Sequence, residues 1–179
     1  MGFGNFEPRK VVVMIGLSGS GKSFVAKRLE ETLGYTVLRS DEIRKRLAGL
    51  NPLDSAKSDF GQGIYNPEMT QKVYITLVEK AKELIQKGEK VVLDATFLRK
   101  WQRELVLRNF PSAVFVWVYA PEKVVLERLR NRKDDISDAD ISVYKKQKEI
   151  FEPPTEILTT YTIRSENWEK IIPLFGGLD

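Results

Sequence analysis

The chain has 179 residues, of which 42% are apolar, a size that fits one domain with a single hydrophobic core over residues 1–179. It carries 29 Lys and Arg against 25 Asp and Glu, a formal net charge of +4, which favours anionic ligands such as nucleotides or nucleic acid but also fits an ordinary mixed surface. The absence of Cys and His excludes disulfides, thiol nucleophiles, proton transfer by His and the common zinc sites. A general base must therefore be a carboxylate, Lys or Tyr.

The beginning of the chain, MGFGNFEPRK, contains no apolar run of signal-peptide length. No segment approaches the roughly 20 apolar residues that a membrane helix needs. We therefore expect a protein that has no membrane partner and works in the cytoplasm. Charged residues make up 30% of the chain, which is also typical of proteins from thermophiles.

Five short apolar runs predict strands, and helical patterns separate them along the chain. The runs cover residues 11–15, 35–40, 90–95, 112–120 and 159–165. Three of them are almost continuous in β-branched and aromatic residues, as in parallel strands that helices cover on both faces. The alternation of strands and helices predicts an α/β layered fold with right-handed crossovers.

Several helix boundaries can be predicted from single residues. Gly34 and Gly88 stand where a helix should end, because glycine readily adopts the left-handed backbone of a C-terminal cap. Asn66 followed by Pro67 predicts a helix that starts with a side-chain cap and a first-turn proline. Ser40 predicts the N-cap of another helix.

Residues 50–66 contain turn-forming residues without an apolar period. Loops of this length inside a domain are often functional, so the segment is interpreted either as an acceptor-binding loop or as a disordered insertion. Further along, Ser137 with Asp140 three residues later predicts a capping box, and the helix that it opens must end before Pro153.

The segment GLSGSGKS, residues 16–23, lies between a predicted strand and a predicted helix. A glycine, four residues and then Gly-Lys-Ser in this context predict a phosphate-binding loop for ATP, because glycines let successive N–H groups face an anion at a helix N-terminus. Lys22 can bridge the β- and γ-phosphates and Ser23 can bind magnesium. The alternative is a glycine-rich turn with a chance lysine. The candidate nucleotide-binding residues are Gly16, Ser18, Gly19, Ser20, Gly21, Lys22, Ser23 and Phe24.

Asp41 and Arg44 follow the second predicted strand, in the first turn of a helix and three residues apart. This spacing places both side chains on one helical face. In a doubly wound fold ligands bind beyond the carboxyl ends of the strands, where a carboxylate can accept the proton of an acceptor hydroxyl. We interpret Asp41 as that base and Arg44 as a clamp on the transferring or acceptor phosphate. Ordinary helix capping, worth about 0.3–1 kcal/mol, is the alternative.

Asp94 ends the third predicted strand, in VVLDAT. An acidic residue at that place can hold magnesium directly or through water, and Ser23 and Asp94 are the candidate metal ligands. The alternative is an Asp that caps the next turn. Trp101 and Arg103, which follow this strand, could line an acceptor cleft, although packing is the commoner role of a Trp.

Four arginines and lysines cluster after the fourth predicted strand, in RLRNRKDD at 128–135. Arg128 and Arg132 are four residues apart and share one helical face. They could belong to a lid, residues 128–140, that closes over ATP and neutralises the charge of phosphoryl transfer. A solvated basic helix surface is the alternative.

Together, GLSGSGKS, SDEIR (40–44), VVLDAT (91–96) and RLRNRKDD resemble the small P-loop kinases, a group that includes polynucleotide 5′-hydroxyl kinases, zeta-type toxins, and gluconate and shikimate kinases. The series at 39–50, 94–97 and 137–154 is also similar to kinase-like domains of the P-loop ATPase class. The resemblance implies a three-layer αβα P-loop NTPase fold, with a five-stranded parallel sheet of order 2-3-1-4-5 and a helical lid.

The same resemblance bears on the acceptor. Asp41 and Arg44 match an Asp-x-x-Arg element that in polynucleotide kinases acts on the 5′-hydroxyl and the phosphate. Zeta-type toxins carry a comparable element and phosphorylate a nucleotide sugar, so the element does not select the acceptor. The DATF segment at 94–97 departs from the polynucleotide kinases, which weakens the nucleic-acid assignment.

Two functions remain open at this point. The first is an ATP- and Mg²⁺-dependent phosphotransferase that acts on a hydroxyl, either of a small metabolite or of a polynucleotide 5′ end. The second is a nucleotide-dependent switch that hydrolyses ATP slowly and acts through a protein partner. A buried Asp41 that faces the core would favour the switch.

Overall fold

The strands and helices follow the predicted alternation. The computed structural model describes residues 10–49, 66–131 and 138–175, with the side chains of 138–140 excepted. In chain order its elements are β1 Val11–Ile15, α1 Lys22–Leu33, β2 Thr36–Arg39, α2 Ser40–Leu47, α3 Pro67–Gln86, β3 Val91–Asp94, α4 Lys100–Asn109, β4 Val114–Val118, α5 Glu122–Asn131, α6 Asp138–Ile150, β5 Tyr161–Ile163 and a 3₁₀ segment, Ser165–Phe175. The predicted loop at 50–66 and the predicted capping box at 137–140 fall largely outside these described residues.

The five strands form one sheet of order β2-β3-β1-β4-β5, and every neighbouring pair is parallel. Both the parallel sheet and its order agree with the expectation. β4 is shorter than the predicted run 112–120, because only Val114–Val118 lie in the ladder.

Helices cover both faces of the sheet and make three layers. Alternate residues of β1 point to opposite faces: Val11, Val13 and Ile15 join a core with α3 and α4, whereas Val12 and Met14 join a core with α1 and the 3₁₀ segment. Because both faces are covered, β1 and β3 are buried at every position. The predicted αβα architecture is therefore confirmed.

Most of the predicted helix ends are confirmed by backbone geometry. Gly34 caps α1 with φ +76°, and Gly88 follows the C-terminus of α3 with φ +87°. The Asn66 side chain accepts a hydrogen bond from Met69 N, and Pro67 is the first residue of α3.

The predicted cap at Ser40 is wrong. Ser40 is already the first residue of α2, and Arg39, in an extended conformation, occupies the cap position without a side-chain hydrogen bond. The chain passes directly from β2 into the helix. The cap position, which needs a non-helical residue, is therefore taken by the last strand residue, Arg39, and Ser40 is already helical. Asp41 and Glu42 in the first turn supply the negative charge that favours a helix N-terminus.

The register aligns the carboxyl ends of β2, β3 and β1. Asp94 pairs with Arg39 of β2 and with Met14 of β1. The segments that follow these strands therefore emerge at one edge of the sheet, the edge where ligands bind in such folds. In the described ranges no helix has both the length and the apolar character needed to cross a membrane.

Candidate active site

The loop between β1 and α1 has glycines where its backbone and its packing leave no room for a side chain. Gly19 and Gly21 adopt φ of +78° and +99°, values that strain any residue with a side chain. A Cβ on Gly21 would lie 2.5 Å from the Cβ of Ser165, and one on Gly16 would lie 2.7 Å from the carbonyl oxygen of Val118. Glycine is therefore needed for the backbone conformation at Gly19 and Gly21 and for close packing at Gly16 and Gly21.

The remaining candidate residues of the loop differ in their position, their exposure and their hydrogen bonds. Lys22 and Ser23 are the first two residues of α1, at the end of the helix that attracts anions. Ser20 is 3% exposed, and its Oγ has no hydrogen-bond partner among the described residues. Phe24 is 47% exposed, and the Arg28 guanidinium lies 5.1 Å from the centre of its ring.

A hydroxyl and a carboxylate meet beside the loop. Ser23 Oγ donates a hydrogen bond of 2.9 Å to Asp94 Oδ2, and Asp94 is 6% exposed. These are the oxygen groups that magnesium accepts when phosphates and water supply its other ligands. The pair therefore fits a magnesium ion at the end of β3, although no three acidic side chains in the described residues converge as a metal cluster.

The side chain of Arg128 connects the loop to the 3₁₀ segment. Its Nη1 donates to the carbonyl oxygen of Gly19 at 3.1 Å, and its Nη2 donates to Ser165 Oγ at 3.0 Å. α5 and the 3₁₀ segment are thus tied to the loop by one guanidinium. Arg132 and the rest of the predicted lid up to residue 137 lie outside the described residues.

Asp41 and Arg44 differ in exposure although they share α2. Asp41 is exposed, whereas Arg44 is 7% exposed and donates from Nη1 to Thr70 Oγ1 of α3 at 3.0 Å. Both act electrostatically on the Tyr74 hydroxyl. The two residues therefore lie near Tyr74, where α2, α3 and the turn after β3 meet; this region, where the acceptor is predicted to bind, is here called the acceptor cleft.

Tyr74 joins this cleft to the turn after β3. Burial raises the pKa of its phenol above the ordinary value of 10.0, so the hydroxyl stays protonated. Its oxygen accepts from Phe97 N at 3.1 Å and lies 3.4 Å from Thr96 Oγ1. Gly16 N donates to the Thr96 carbonyl oxygen at 3.1 Å, so the phosphate loop and the acceptor cleft share one turn.

That turn contains a strained residue. Phe97 has φ +46°, a left-handed conformation that is costly for an aromatic residue. Arg103 holds it, because Nη1 donates to the Phe97 carbonyl oxygen at 2.7 Å. Arg103 is fully buried and pairs with Glu156, so its role is structural and it does not line the cleft. Trp101 is 41% exposed and packs edge-on against Tyr74.

A cavity of about 190 Å³ adjoins the loop at Leu17 and Ser20. Lys148 and Glu122, an ion pair of 3.2 Å, also line it. Four aromatic side chains form much of the rest of its wall: Trp117, Tyr119, Tyr144 and Phe151. Neither Asp41 nor Arg44 borders this cavity, which is therefore distinct from the acceptor cleft.

Sequence reasoning missed four contributors: Tyr74, Ser165, the structural role of Arg103, and Gln147, whose Oε1 accepts from Ser18 N at 2.9 Å. Tyr74 and Gln147 lie on otherwise apolar helix faces, where a buried polar group needs a partner. The need of a buried polar group for a hydrogen-bond partner is the signal that could have indicated Tyr74 and Gln147 from the sequence. The sequence does not show which group that partner is.

A match to a known protein family agrees with the fold and with the glycine loop. A family model described as an AAA domain matches residues 11–154. The chain belongs to this family. This AAA domain is 27% identical over 134 residues to an uncharacterized protein of Mycobacterium tuberculosis, a match that covers 73% of the chain and 27% of that relative. The chain thus spans about a quarter of the length of the first mycobacterial relatives.

Two kinases resemble this AAA domain over most of their lengths. A shikimate kinase of Caldanaerobacter subterraneus subsp. tengcongensis is 26% identical over 170 residues, which cover 85% of the chain and 96% of the relative. The structure of a gluconokinase from Sinorhizobium meliloti 1021 superposes with a TM-score of 0.66 and 22% sequence identity. The match covers 93% of the chain and 89% of the gluconokinase. The resemblance to the small P-loop kinases, which the motifs indicated, is therefore confirmed.

Proposed function

We propose that this AAA domain is an ATP- and magnesium-dependent phosphotransferase that moves the γ-phosphoryl group to the hydroxyl of a small metabolite. The observation that carries the proposal is the pairing of Arg39 with Asp94, which brings the start of α2 to the edge where Asp94 accepts from Ser23. An exposed carboxylate, Asp41, thus stands near the predicted metal ligands. The names of the shikimate kinase and the gluconokinase support a small acceptor.

The nucleotide side is assigned to the loop and its neighbours. Backbone N–H groups at 16–23 bind the phosphates, and Lys22 bridges the β- and γ-phosphates. Ser23 and Asp94 hold magnesium, which when bound neutralises charge on the phosphate oxygens. Arg128 and Arg132 neutralise the charge that develops during transfer.

The acceptor side is assigned to α2. Asp41 accepts the proton of the acceptor hydroxyl while that oxygen bonds to the γ-phosphorus and the bond to the β-phosphate oxygen breaks, which releases ADP. Arg44, held by Thr70, orients the transferring or acceptor phosphate. The exposed carboxylate of Asp41 does not support the switch hypothesis, which would be favoured by a carboxylate buried in the core.

A transfer screen tests the proposed function. The protein is incubated with γ-labelled ATP, Mg²⁺ and three acceptor classes: sugars and hydroxy acids, nucleosides, and 5′-hydroxyl oligonucleotides. We expect label on a member of the first class. Label on an oligonucleotide, with binding that weakens steeply with salt, would assign a polynucleotide acceptor instead. Release of free phosphate alone, at a rate that Asp41→Asn leaves unchanged, would support the switch.

The magnesium assignment predicts a specific loss in Asp94→Asn. Removing the charge next to Ser23 should raise the Mg²⁺ concentration needed for half-maximal ATP binding by about 10–100-fold, as changes to the partners of metal ligands do. Calorimetric titrations of ATP at a series of Mg²⁺ concentrations measure this shift. Glu89→Gln is the control, because Glu89 accepts from Thr36 Oγ1 before β3 begins, at the opposite end of the strand. An unchanged Mg²⁺ dependence in Asp94→Asn would remove Asp94 from the site.

A further inference from the structure

Gln147 is a buried polar residue of α6 that reaches the phosphate loop. It is 6% exposed, and its Oε1 accepts a hydrogen bond of 2.9 Å from Ser18 N, across 129 residues of sequence. Tyr144, one turn earlier on the helix, packs with Val125 and Leu129 of α5 and with Leu17 of the loop. The helix is therefore anchored beside the loop, and Gln147 is its polar contact with the loop backbone.

The orientation of this side-chain amide follows from its partner. A backbone N–H can only donate, so the oxygen of the amide must face Ser18. The Nε2 group carries two further N–H donors, and within the described residues it has no hydrogen-bond partner. Because Nε2 and Oε1 are bonded to one carbon, Nε2 also lies close to the Ser18 amide.

Gln147 contacts the loop at Ser18, two residues after Gly16, which links the loop to the turn beside the acceptor cleft. Gly16 N donates to the Thr96 carbonyl oxygen, and the Thr96 hydroxyl lies beside Tyr74 of the cleft. Arg128 and Ser165, in contrast, contact the loop around Gly19 and Gly21. In a kinase, the phosphate that lies nearest the acceptor is the terminal one.

We propose that Gln147 is a binding residue for the terminal phosphate of a nucleoside triphosphate. Its Oε1 holds the Ser18 amide in place, and its Nε2 donates to an oxygen of the γ-phosphate. The inference rests on the proposed function, which requires that this loop bind ATP. It assigns to α6 the discrimination between the triphosphate substrate and the diphosphate product.

The test compares the affinities of a non-hydrolysable ATP analogue and of ADP, both with Mg²⁺, by calorimetry. Gln147→Glu keeps an acceptor for Ser18 but replaces the Nε2 donors by an oxygen, and Gln147→Met removes both functions at similar length. We expect each variant to bind the ATP analogue about 10–100-fold more weakly than the wild type, as expected for a lost hydrogen bond to a charged group. ADP affinity should stay at the wild-type value.

The control is Lys146→Gln, which changes the net charge by the same amount as Gln147→Glu at an exposed position of the same helix. It should bind both nucleotides as the wild type does. Equal weakening of the ATP analogue and ADP in the Gln147 variants would mean that the residue only supports the loop, and would overturn the inference. Wild-type affinities in both variants would overturn it as well.

A measurement on the unaltered protein covers the case in which the variants do not fold. The Nε2 amide signal of Gln147, observed by ¹⁵N NMR after selective labelling, should shift on addition of the ATP analogue and stay in place with ADP. Equal shifts with the two nucleotides would contradict the inference. If the wild type binds neither nucleotide, the proposed function fails; if it binds both without this difference, only the role of Gln147 fails.

Discussion

Asp41→Asn is expected to slow phosphoryl transfer by about 10²–10⁴-fold, the usual contribution of a general base. The substituted amide keeps the size of the side chain but cannot accept the proton of the acceptor hydroxyl. ATP binding should be unchanged, because Asp41 lies in α2 and not in the loop that we propose to bind the phosphates. Single-turnover transfer to the acceptor found in the screen, together with calorimetric ATP binding, measures the two effects separately.

Glu42→Gln is the matched control for this variant. Glu42 is the next residue, is also exposed, and lies in the same first turn of α2. Both substitutions therefore remove one negative charge from the same helix N-terminus. If the two variants lose the same small amount of activity, Asp41 acts only as a helix-stabilising charge, and another group must accept the proton.

Arg103→Ala is expected to lower the free energy of unfolding by about 3–5 kcal/mol, as when one partner of a buried ion pair is removed. The Arg103 side chain is fully buried, and its Nε lies 2.7 Å from Glu156 Oε2. The substitution leaves this carboxylate and the Phe97 carbonyl oxygen without the guanidinium. Denaturant unfolding followed by tryptophan fluorescence measures the loss.

Arg108→Ala, at an exposed position of the same helix, should change stability by no more than about 0.5 kcal/mol. It controls for the loss of an arginine from α4. A similarly small change in Arg103→Ala would show that the buried contacts with Glu156 and Phe97 contribute little to the stability of the fold.

The stability that the Arg103–Glu156 ion pair contributes should also depend on pH. Burial acts to raise the pKa of Glu156, but the hydrogen bond and charge of Arg103 outweigh it, so the pKa lies below the ordinary value of 4.5. Stability from a carboxyl with a depressed folded pKa is present above the unfolded value and is lost as the pH falls through the folded value. The difference in unfolding free energy between wild type and Arg103→Ala should therefore narrow below about pH 4.5.

Local patterns explain which parts of the site could be predicted. The glycine loop could be predicted from the sequence because the backbone angles at Gly19 and Gly21 exclude most other residues. The run at 11–15 is the whole of β1, because buried parallel strands are continuously apolar. Asp94 could be named because a strand end places its side chain at the ligand-binding edge.

Other parts depend on neighbours that are distant in sequence. The ends of β4 are set by how far β1 and β5 extend beside it, which the apolar run 112–120 does not encode. The polar pattern around Arg103 is compatible with a cleft residue as well as with a buried one. Its partner Glu156 lies 53 residues later, and no spacing rule relates the two.

The sequence by itself determined the nucleotide loop, the alternation of strands and helices, and the candidate carboxylates at the strand ends, because each depends on residues adjacent in the chain. Only the tertiary structure decided that Tyr74 holds the strained Phe97 and that Gln147 binds the loop at Ser18. A buried polar side chain must find a hydrogen-bond partner. Which partner it finds is decided by the packing of helices against the sheet, since that packing brings together groups that are far apart in the sequence.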